Sequence, residues 1–296
     1  MIMDYRPWHK QVYIYTSPYP MNNVLGAYRL YFIPTVNDIG DTVEKLKQIK
    51  PDLLVCYPSH LRQLSQNLSK SGKAYIKPHA ISVNSEMSTQ RERDELSEFF
   101  GCGVYDEYST EELTRVAAQC KSKNYHVFED INYIEVLDED GNDAAEGQVG
   151  EIVGTNLHNF CMPFIRYRQS DLGSLETKTC PCGRNFRLLK ELKGRKNDQF
   201  ILPDGKILSS GFMLDASYGL ILEFEDAILD FCIVQEKRNV IVVEVIPGGK
   251  YTKEMGRKME ERFKEMIKAD VDIKVRPVEK LYKTISGKQN PIISKV

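Results

Sequence analysis

The sequence carries almost no excess charge: 40 Lys and Arg stand against 42 Asp and Glu, for a formal net charge of −2. A general electrostatic pull toward nucleic acid or an anionic membrane is thereby excluded as the basis of its function. No apolar run approaches the ~20 residues of a membrane-spanning helix. The opening residues, MIMDYRPWHK, have neither the apolar region nor the small-residue cleavage site of a secretory leader, so the expectation is a soluble cytoplasmic chain. Neither G-x4-G-K-[ST] nor G-x-G-x-x-G occurs, which leaves a phosphate-loop NTPase or a dinucleotide fingerprint without support. Internal repeats and low-complexity tracts are missing too. The cysteines, Cys56, Cys102, Cys120, Cys161, Cys180, Cys182 and Cys232, number seven. An odd count in a long chain fits free thiols or a metal site in a reducing compartment better than a disulfide framework.

What is present is an ordinary globular composition, 42% hydrophobic and 28% charged, with 16 Tyr and 12 Phe to build a core. From about 40 to 112 short helical and strand patterns alternate, the signature of an α/β sheet flanked by helices. Asp41 is placed to cap a helix ending before Pro51, LLVCY at 53–57 reads as a buried strand, and Pro58-Ser59 opens a helix carrying Leu61, Leu64 and Leu68. Residues 80–83 read as a strand, and Ser88 as the cap of a helix through Phe100. From 113 to 193 strands and turns take over (131–137, 149–155, 164–168), which predicts a small antiparallel, barrel-like subdomain. Residues 194–198 have the composition of a linker, and 199–296 read as an αββαβ module. In that module Met255, Met259, Phe263 and Met266 form a packing stripe.

Four constellations carry chemical potential, each with a plainer alternative. Tyr105 to Glu111 (YDEYSTE) crowds polar groups at the end of a strand, where open α/β sheets bind ligands; on spacing alone the favoured reading is a turn in which Ser109 or Thr110 caps a following helix. Arg166 and Arg168 alternate along a strand before Asp171, a carboxylate suited to two ribose hydroxyls; equally, this is an edge strand with a basic face. Cys120 and His126 (C-x5-H) with Cys180 and Cys182 (C-x-C) offer three thiolates and an imidazole, a donor set for tetrahedral Zn²⁺, although C-x-C is tighter than the usual C-x2-C; the plainer alternative is buried thiols and an incidental histidine. Lys288, in the turn TISGK, presents a point charge to a phosphate or carboxylate, or is one surface lysine among many.

In this order the segments resemble the adenylate-forming superfamily, in particular its phenylacetate-CoA ligase branch, which includes capsular polysaccharide biosynthesis proteins. PDLLVCYP at 51–58 is similar to that branch's kPd.l.gyP segment, and Tyr108-Ser109-Thr110-Glu111 to a compressed Y-G-x-[ST]-E with Ser in place of Gly. GEIV at 150–153 with PFIRYRQSD at 163–171 is similar to G-E-[IL]-V and P-x-I-R-Y-R-x-x-D. Cys180-Pro181-Cys182-Gly183-Arg184, then Gly194-Arg195 with Asp198, resembles C-x-C-G-R and G-R-x-x-D.

The resemblance implies a ligase that activates a small carboxylic (aryl) acid with ATP to an acyl-adenylate, then passes the acyl group to coenzyme A. It implies that Asp171 holds the ribose, Tyr108 lies against adenine with Ser109, Thr110 and Arg195 nearby, and Glu111 helps place Mg²⁺. It implies that Asn84-Ser85-Glu86 flanks the nucleotide and that Lys288 bridges the acyl carboxylate and the α-phosphate, where charge develops. It further implies a structural Zn²⁺ on Cys120, His126, Cys180 and Cys182, and a hinge at Asn197-Asp198, where relatives commonly have an acidic residue at the Asn197 position. Such relatives also carry a Ser/Thr/Gly-rich triphosphate loop ahead of the 51–58 segment. The 39 residues before Gly40 hold one glycine, Gly26, and no such loop. The expectation is a shortened member whose β- and γ-phosphates lack their backbone donors. Its adenylation then needs a partner chain or second copy, or has been lost, leaving a remnant that binds nucleotide, acyl group or partner protein.

Overall fold

The computed structural model describes residues 6, 8–15, 29–71, 76–224, 227–282 and 289–296. Contacts divide these into two compact units: one of residues up to 169 with 173–191, the other of 170–172, 192–282 and 289–296.

The first unit opens with β1 (Gln11–Tyr15), β2 (Leu30–Pro34), α1 (Ile39–Ile49), β3 (Leu53–Cys56), α2 (Pro58–Ser71), β4 (Ala80–Asn84), α3 (Gln90–Phe100) and β5 (Gly103–Thr110). These strands pair in parallel in the order β2-β1-β3-β4-β5. Strand side chains alternate between two faces. Val12, Ile14, Leu54, Cys56, Ile81 and Val83 pack with Leu46, Leu61, Leu64 and Leu96 of the helices. Tyr13, Leu53, Val55 and Ala80 bury a smaller cluster with Tyr15 and Tyr105 on the other face. Burial on both faces explains why LLVC is a continuous apolar run.

The helix starts differ from the expected ones for local reasons. Asp38, not Asp41, caps α1: its backbone is extended and its carboxylate accepts the Gly40 N–H, while Asp41 sits in the first turn, where its charge suits the helix dipole. Thr89, not Ser88, caps α3 by accepting the Glu92 N–H at 3.0 Å, in the T-x-x-E pattern of a capping box. Ser88 is engaged by the Arg93 guanidinium instead.

The chain continues through β6 (Thr114–Gln119), β7 (Tyr125–Val127), β8 (Asn132–Leu137), β9 (Gly150–Asn156), β10 (Tyr167–Glu176) and β11 (Leu188–Arg195). β5 turns straight into antiparallel β6, so no helix follows Ser109 and Thr110; the Thr110 hydroxyl accepts the Leu113 N–H inside the turn. The strand-rich stretch is therefore no sheet of its own. It extends the parallel half into one eleven-stranded sheet of order β2-β1-β3-β4-β5-β6-β7-β11-β10-β9-β8. The strand expected at 164–168 begins only at Tyr167, because Arg166 sits in left-handed backbone at φ 49° and breaks the extended run.

In the second unit, β12 (Phe200–Ile201) and β13 (Ile207–Leu208) form the expected hairpin over Asp204-Gly205. α4 (Ser210–Glu223), β14 (Ile228–Lys237), β15 (Val240–Pro247), α5 (Lys253–Ile267), β16 (Asp272–Pro277) and β17 (Ile292–Ser294) complete it, with sheet order β16-β15-β14-β17. α5 buries Gly256, Met259, Phe263 and Ile267, so the packing stripe is offset from the methionine one and Met255 and Met266 only flank it. β17 was not foreseen from sequence; it is three residues long and exists by pairing with β14.

A buried polar knot ties the two halves of the large sheet. Arg93 of α3 lies 3.8 Å from Asp106 of β5, and the Tyr125 hydroxyl of β7 donates to the same carboxylate at 2.5 Å. Gln119 of β6 accepts the Asp106 N–H. Burial holds the Asp106 carboxyl above its ordinary value, against the opposing pull of the Arg93 charge and the Tyr125 hydrogen bond. Replacing Arg93 by Met removes the largest opposing influence and raises that folded-state value further, while the unfolded value stays put. The resulting deficit is greatest above the new value and shrinks as pH falls and Asp106 takes up its proton. Urea unfolding should show Arg93→Met losing about 3 kcal/mol near neutral pH and clearly less near pH 5; equal losses at both would contradict a charged Asp106 beneath Arg93.

Candidate functional site

Two buried cysteines and a buried histidine meet a third cysteine at one point. Cys120 ends β6, His126 lies in β7, and Cys180 and Cys182 sit on the turn before β11. Their four ligand atoms fall within 4.8 Å of one another. Cys120 and His126 are fully buried and Cys180 is 2% exposed. The Cys120 and Cys180 sulfurs lie 3.6 Å apart, and Cys182 Sγ lies 3.2 Å from His126 Nε2. A tetrahedral Zn²⁺ with ~2.3 Å bonds to sulfur spaces its sulfur ligands about 3.8 Å apart, so donor set, spacing and burial all fit the ion. His126 Nδ1 has no hydrogen-bond partner among the described residues. Two left-handed residues shape the ligand turns: Lys123 at φ 61° and Gly183 at φ 82°. Burial opposes ionisation of Cys180, yet hydrogen bonds from the Cys182 backbone and the Asn124 amide outweigh it and hold the thiol below its ordinary value. The grouping of Cys120, His126, Cys180 and Cys182 was visible in the sequence, with buried thiols and an incidental histidine as the alternative reading. Asn124 was not, because nothing in its own sequence neighbourhood points to Cys180.

The strand ends of the parallel sheet carry the second group. Asn84 closes β4, and its Oδ1 accepts from the Tyr15 hydroxyl at 2.5 Å and from Ser85 Oγ at 3.1 Å. Ser85 is left-handed at φ 64°. Glu86 turns back to the start of α2, where its carboxylate accepts both the Ser59 N–H and the Ser59 hydroxyl at 3.0 Å. It thus serves as an N-terminal anchor for α2 as well as standing beside the strand ends.

Along β5, Tyr108 donates from its hydroxyl to Gln169 Oε1 at 3.4 Å, and Gln169 Nε2 is buried without a partner among the described residues. The ladder to β6 shifts register between Tyr108 and Ser109, which re-aims the side chains that follow. Glu111 is exposed on the turn and Glu112 accepts the Tyr167 hydroxyl. Glu107, which sequence reading passed over, is raised above its ordinary value by burial and held down in part by Arg115 at 3.2 Å.

Within the second unit, Asp171 is buried and its Oδ1 lies 3.8 Å from Arg195 Nε. Asp198, on a 3-10 turn spanning Lys196–Asp198, sits above its ordinary value through burial, with Arg195 opposing and Asp171 reinforcing. Asp171, Arg195 and Asp198 are therefore one electrostatic cluster, and Asn197 lies on its turn. The division between the units passes between Glu191 and Leu192, just ahead of Gly194 at φ 82°. Arg166 and Arg168 do not join this cluster: they pair across the sheet surface with Glu135 at 3.1 Å and Glu151 at 2.7 Å. Such exposed pairs contribute about 0–1 kcal/mol, so the solvated basic face is the better description of them. Lys288 lies outside the described residues.

Comparison with known proteins places this geometry. Residues 200–295 match the family model of the CapK C-terminal domain. Phenylacetate-coenzyme A ligase of Thermus thermophilus is 29% identical over 167 residues, covering 53% of this chain and 37% of that protein. The ligase of the same name from Aromatoleum evansii is 30% identical over 170 residues, 54% of this chain and 37% of that protein. Protein CapK of Staphylococcus aureus is 22% identical over 259 residues, 86% of this chain and 55% of that protein. The chain thus spans between 37% and 55% of the length of these relatives. Among solved structures, 2-hydroxyisobutyryl-CoA ligase in the postadenylation state, in complex with R3-HIB-AMP, superposes with a TM-score of 0.78 at 19% identity, over 98% of this chain and 66% of that one. A benzoate CoA ligase from Burkholderia xenovorans LB400 gives 0.65 at 15% identity, over 96% and 60%. Among the described residues no helix is long and apolar enough to cross a membrane. Residues 200–295 thus resemble a CapK C-terminal domain, and the chain is similar in sequence to phenylacetate-CoA ligases and CapK and shares the fold of solved CoA ligases.

Proposed function

We propose that this chain carries adenylate-binding and C-terminal parts of a cytoplasmic acid–thiol ligase, which joins a small carboxylic acid to coenzyme A through an acyl-adenylate. The observation that carries the reading is the buried Asp171 carboxylate beside Arg195. A carboxylate beside a guanidinium offers two acceptor oxygens, the chemistry that binds a pair of ribose hydroxyls. Tyr108 supplies an aromatic face for adenine, and the unpartnered Gln169 amide offers a donor nearby. Asn84 and Ser85 at the end of β4 supply polar groups where open parallel sheets take their ligands. Glu111 is a single exposed carboxylate, enough to share Mg²⁺ with substrate phosphates but not to hold it alone. Lys288 would place its charge between the acyl carboxylate and the α-phosphate, and residues 194–198 would let the C-terminal module turn between the two half-reactions.

The Cys120, His126, Cys180 and Cys182 cluster would hold a structural Zn²⁺, with all four positions filled by protein and none left for a reacting water. Such an ion staples the β6–β7 turn to the 180–182 turn and contributes folding energy directly. Metal analysis of the purified protein should return about one equivalent of zinc, and chelation should lower its melting temperature; zinc well below half an equivalent would contradict the assignment. For the reaction, acid-dependent exchange of labelled pyrophosphate into ATP, over a panel of aryl and alkyl acids, is the direct test. With a chain that supplies the triphosphate loop present, exchange is expected, with Asp171→Ala and Lys288→Ala each slowing it at least about 100-fold, the scale of losing one transition-state contact. No exchange with any acid, or exchange that survives both substitutions, would contradict the proposal.

A further inference from the structure

The zinc reading leaves a charge to be balanced. Three thiolates, a neutral imidazole and a dication sum to −1, and the site is buried, where an uncompensated charge is costly. Backbone N–H groups near Cys120 and Cys180 supply part of the compensation. A second contribution comes from a side-chain relay across the sheet. Asn124 Nδ2 donates to Cys180 Sγ at 3.3 Å, and Asn124 Oδ1 accepts from Lys190 Nζ at 2.5 Å.

Chemistry fixes the orientation of this amide. An ammonium has donors and no acceptor, so Asn124 must turn its oxygen to Lys190 and its NH₂ to the sulfur. Topology fixes the lysine. β11 pairs antiparallel with β7, Leu188 opposite His126 and Leu189 opposite Tyr125, so the same register carries Lys190 toward Asn124. The turn fixes the asparagine: the Cys120 N–H bonds to the Asn124 carbonyl at 2.9 Å and the Lys123 N–H to the Cys120 carbonyl at 2.8 Å, with Lys123 left-handed. These backbone bonds do not depend on the Asn124 side chain.

We propose that Asn124, braced by Lys190, is a positioning residue of the metal site: its amide holds Cys180 Sγ in ligating position and passes part of the surplus negative charge to the lysine. The proposal rests on the zinc reading above and goes beyond it by naming residues outside the ligand set. Hydrogen bonds of this outer kind typically govern metal affinity by about 10- to 100-fold.

The test is zinc competition between the full chain and a chromophoric chelator, with the near-ultraviolet thiolate-to-metal band of the cobalt-substituted protein as a second readout. Asn124→Leu, nearly isosteric, should still bind one metal ion but about 10- to 100-fold more weakly, with the cobalt band shifted. Lys190→Met should weaken binding in the same direction, and Lys190→Arg should restore it. Because the lysine acts through the amide, the double variant should bind no more weakly than Asn124→Leu. Wild-type affinity in Asn124→Leu overturns the proposal, as does a double variant whose loss is the sum of the two single losses. Should Asn124→Leu not fold, wild-type affinity in Lys190→Met overturns it alone. A wild-type chain that takes up no stoichiometric metal overturns the zinc reading along with it, whereas a metal-binding wild type with an unaffected Asn124→Leu overturns only this inference.

Discussion

The Asp106 carboxylate is the point on which the first unit depends. Arg93 reaches it from α3, Tyr125 from β7, and the Gln119 side chain accepts the N–H of its own residue, so one acidic group joins a helix to three adjacent strands. It also stands between two chemistries. Two residues onward in β5 is Tyr108, while Tyr125 is flanked by Asn124 and His126 at the Cys/His cluster. A buried charge in this position contributes little net stability but makes the wrong register expensive, since any slip would strand the carboxylate without its partners.

That dependence explains which features the sequence disclosed. Local signals were readable: Pro51 and Gly101 after helices, Asp204-Gly205 in a hairpin, and the C-x5-H and C-x-C pairs. Each is decided within a few residues. The continuity of the parallel and antiparallel halves was not readable, because it follows from β5 turning directly into β6 where the spacing favoured a helix cap. The helix caps were misplaced by one to three residues for a similar reason. Asp38 and Asp41, or Ser88 and Thr89, are equivalent by type, and only backbone conformation distinguishes them.

Partners far apart in sequence were the main omission. Asn124 with Lys190, Asp106 with Tyr125, and Gln235, whose amide donates to the Ile201 carbonyl and accepts the Ile201 N–H, each combine residues of unremarkable type. The reverse also occurs: Arg166 and Arg168 sit in a segment that resembles a ligase signature, yet their charges are taken up by Glu135 and Glu151 on the sheet surface. In the same segment Asp171 is buried beside Arg195 instead.

The proposed adenylate-binding role turns on Asp171, buried beside Arg195. Calorimetric titration with a non-hydrolysable acyl-sulfamoyl adenosine tests that claim without requiring turnover. The account predicts saturable binding at one site per chain, weakened at least about tenfold in Asp171→Asn, where loss of charge removes a charge-assisted pair of hydrogen bonds. No binding to the wild-type chain, or equal binding to the variant, would contradict it.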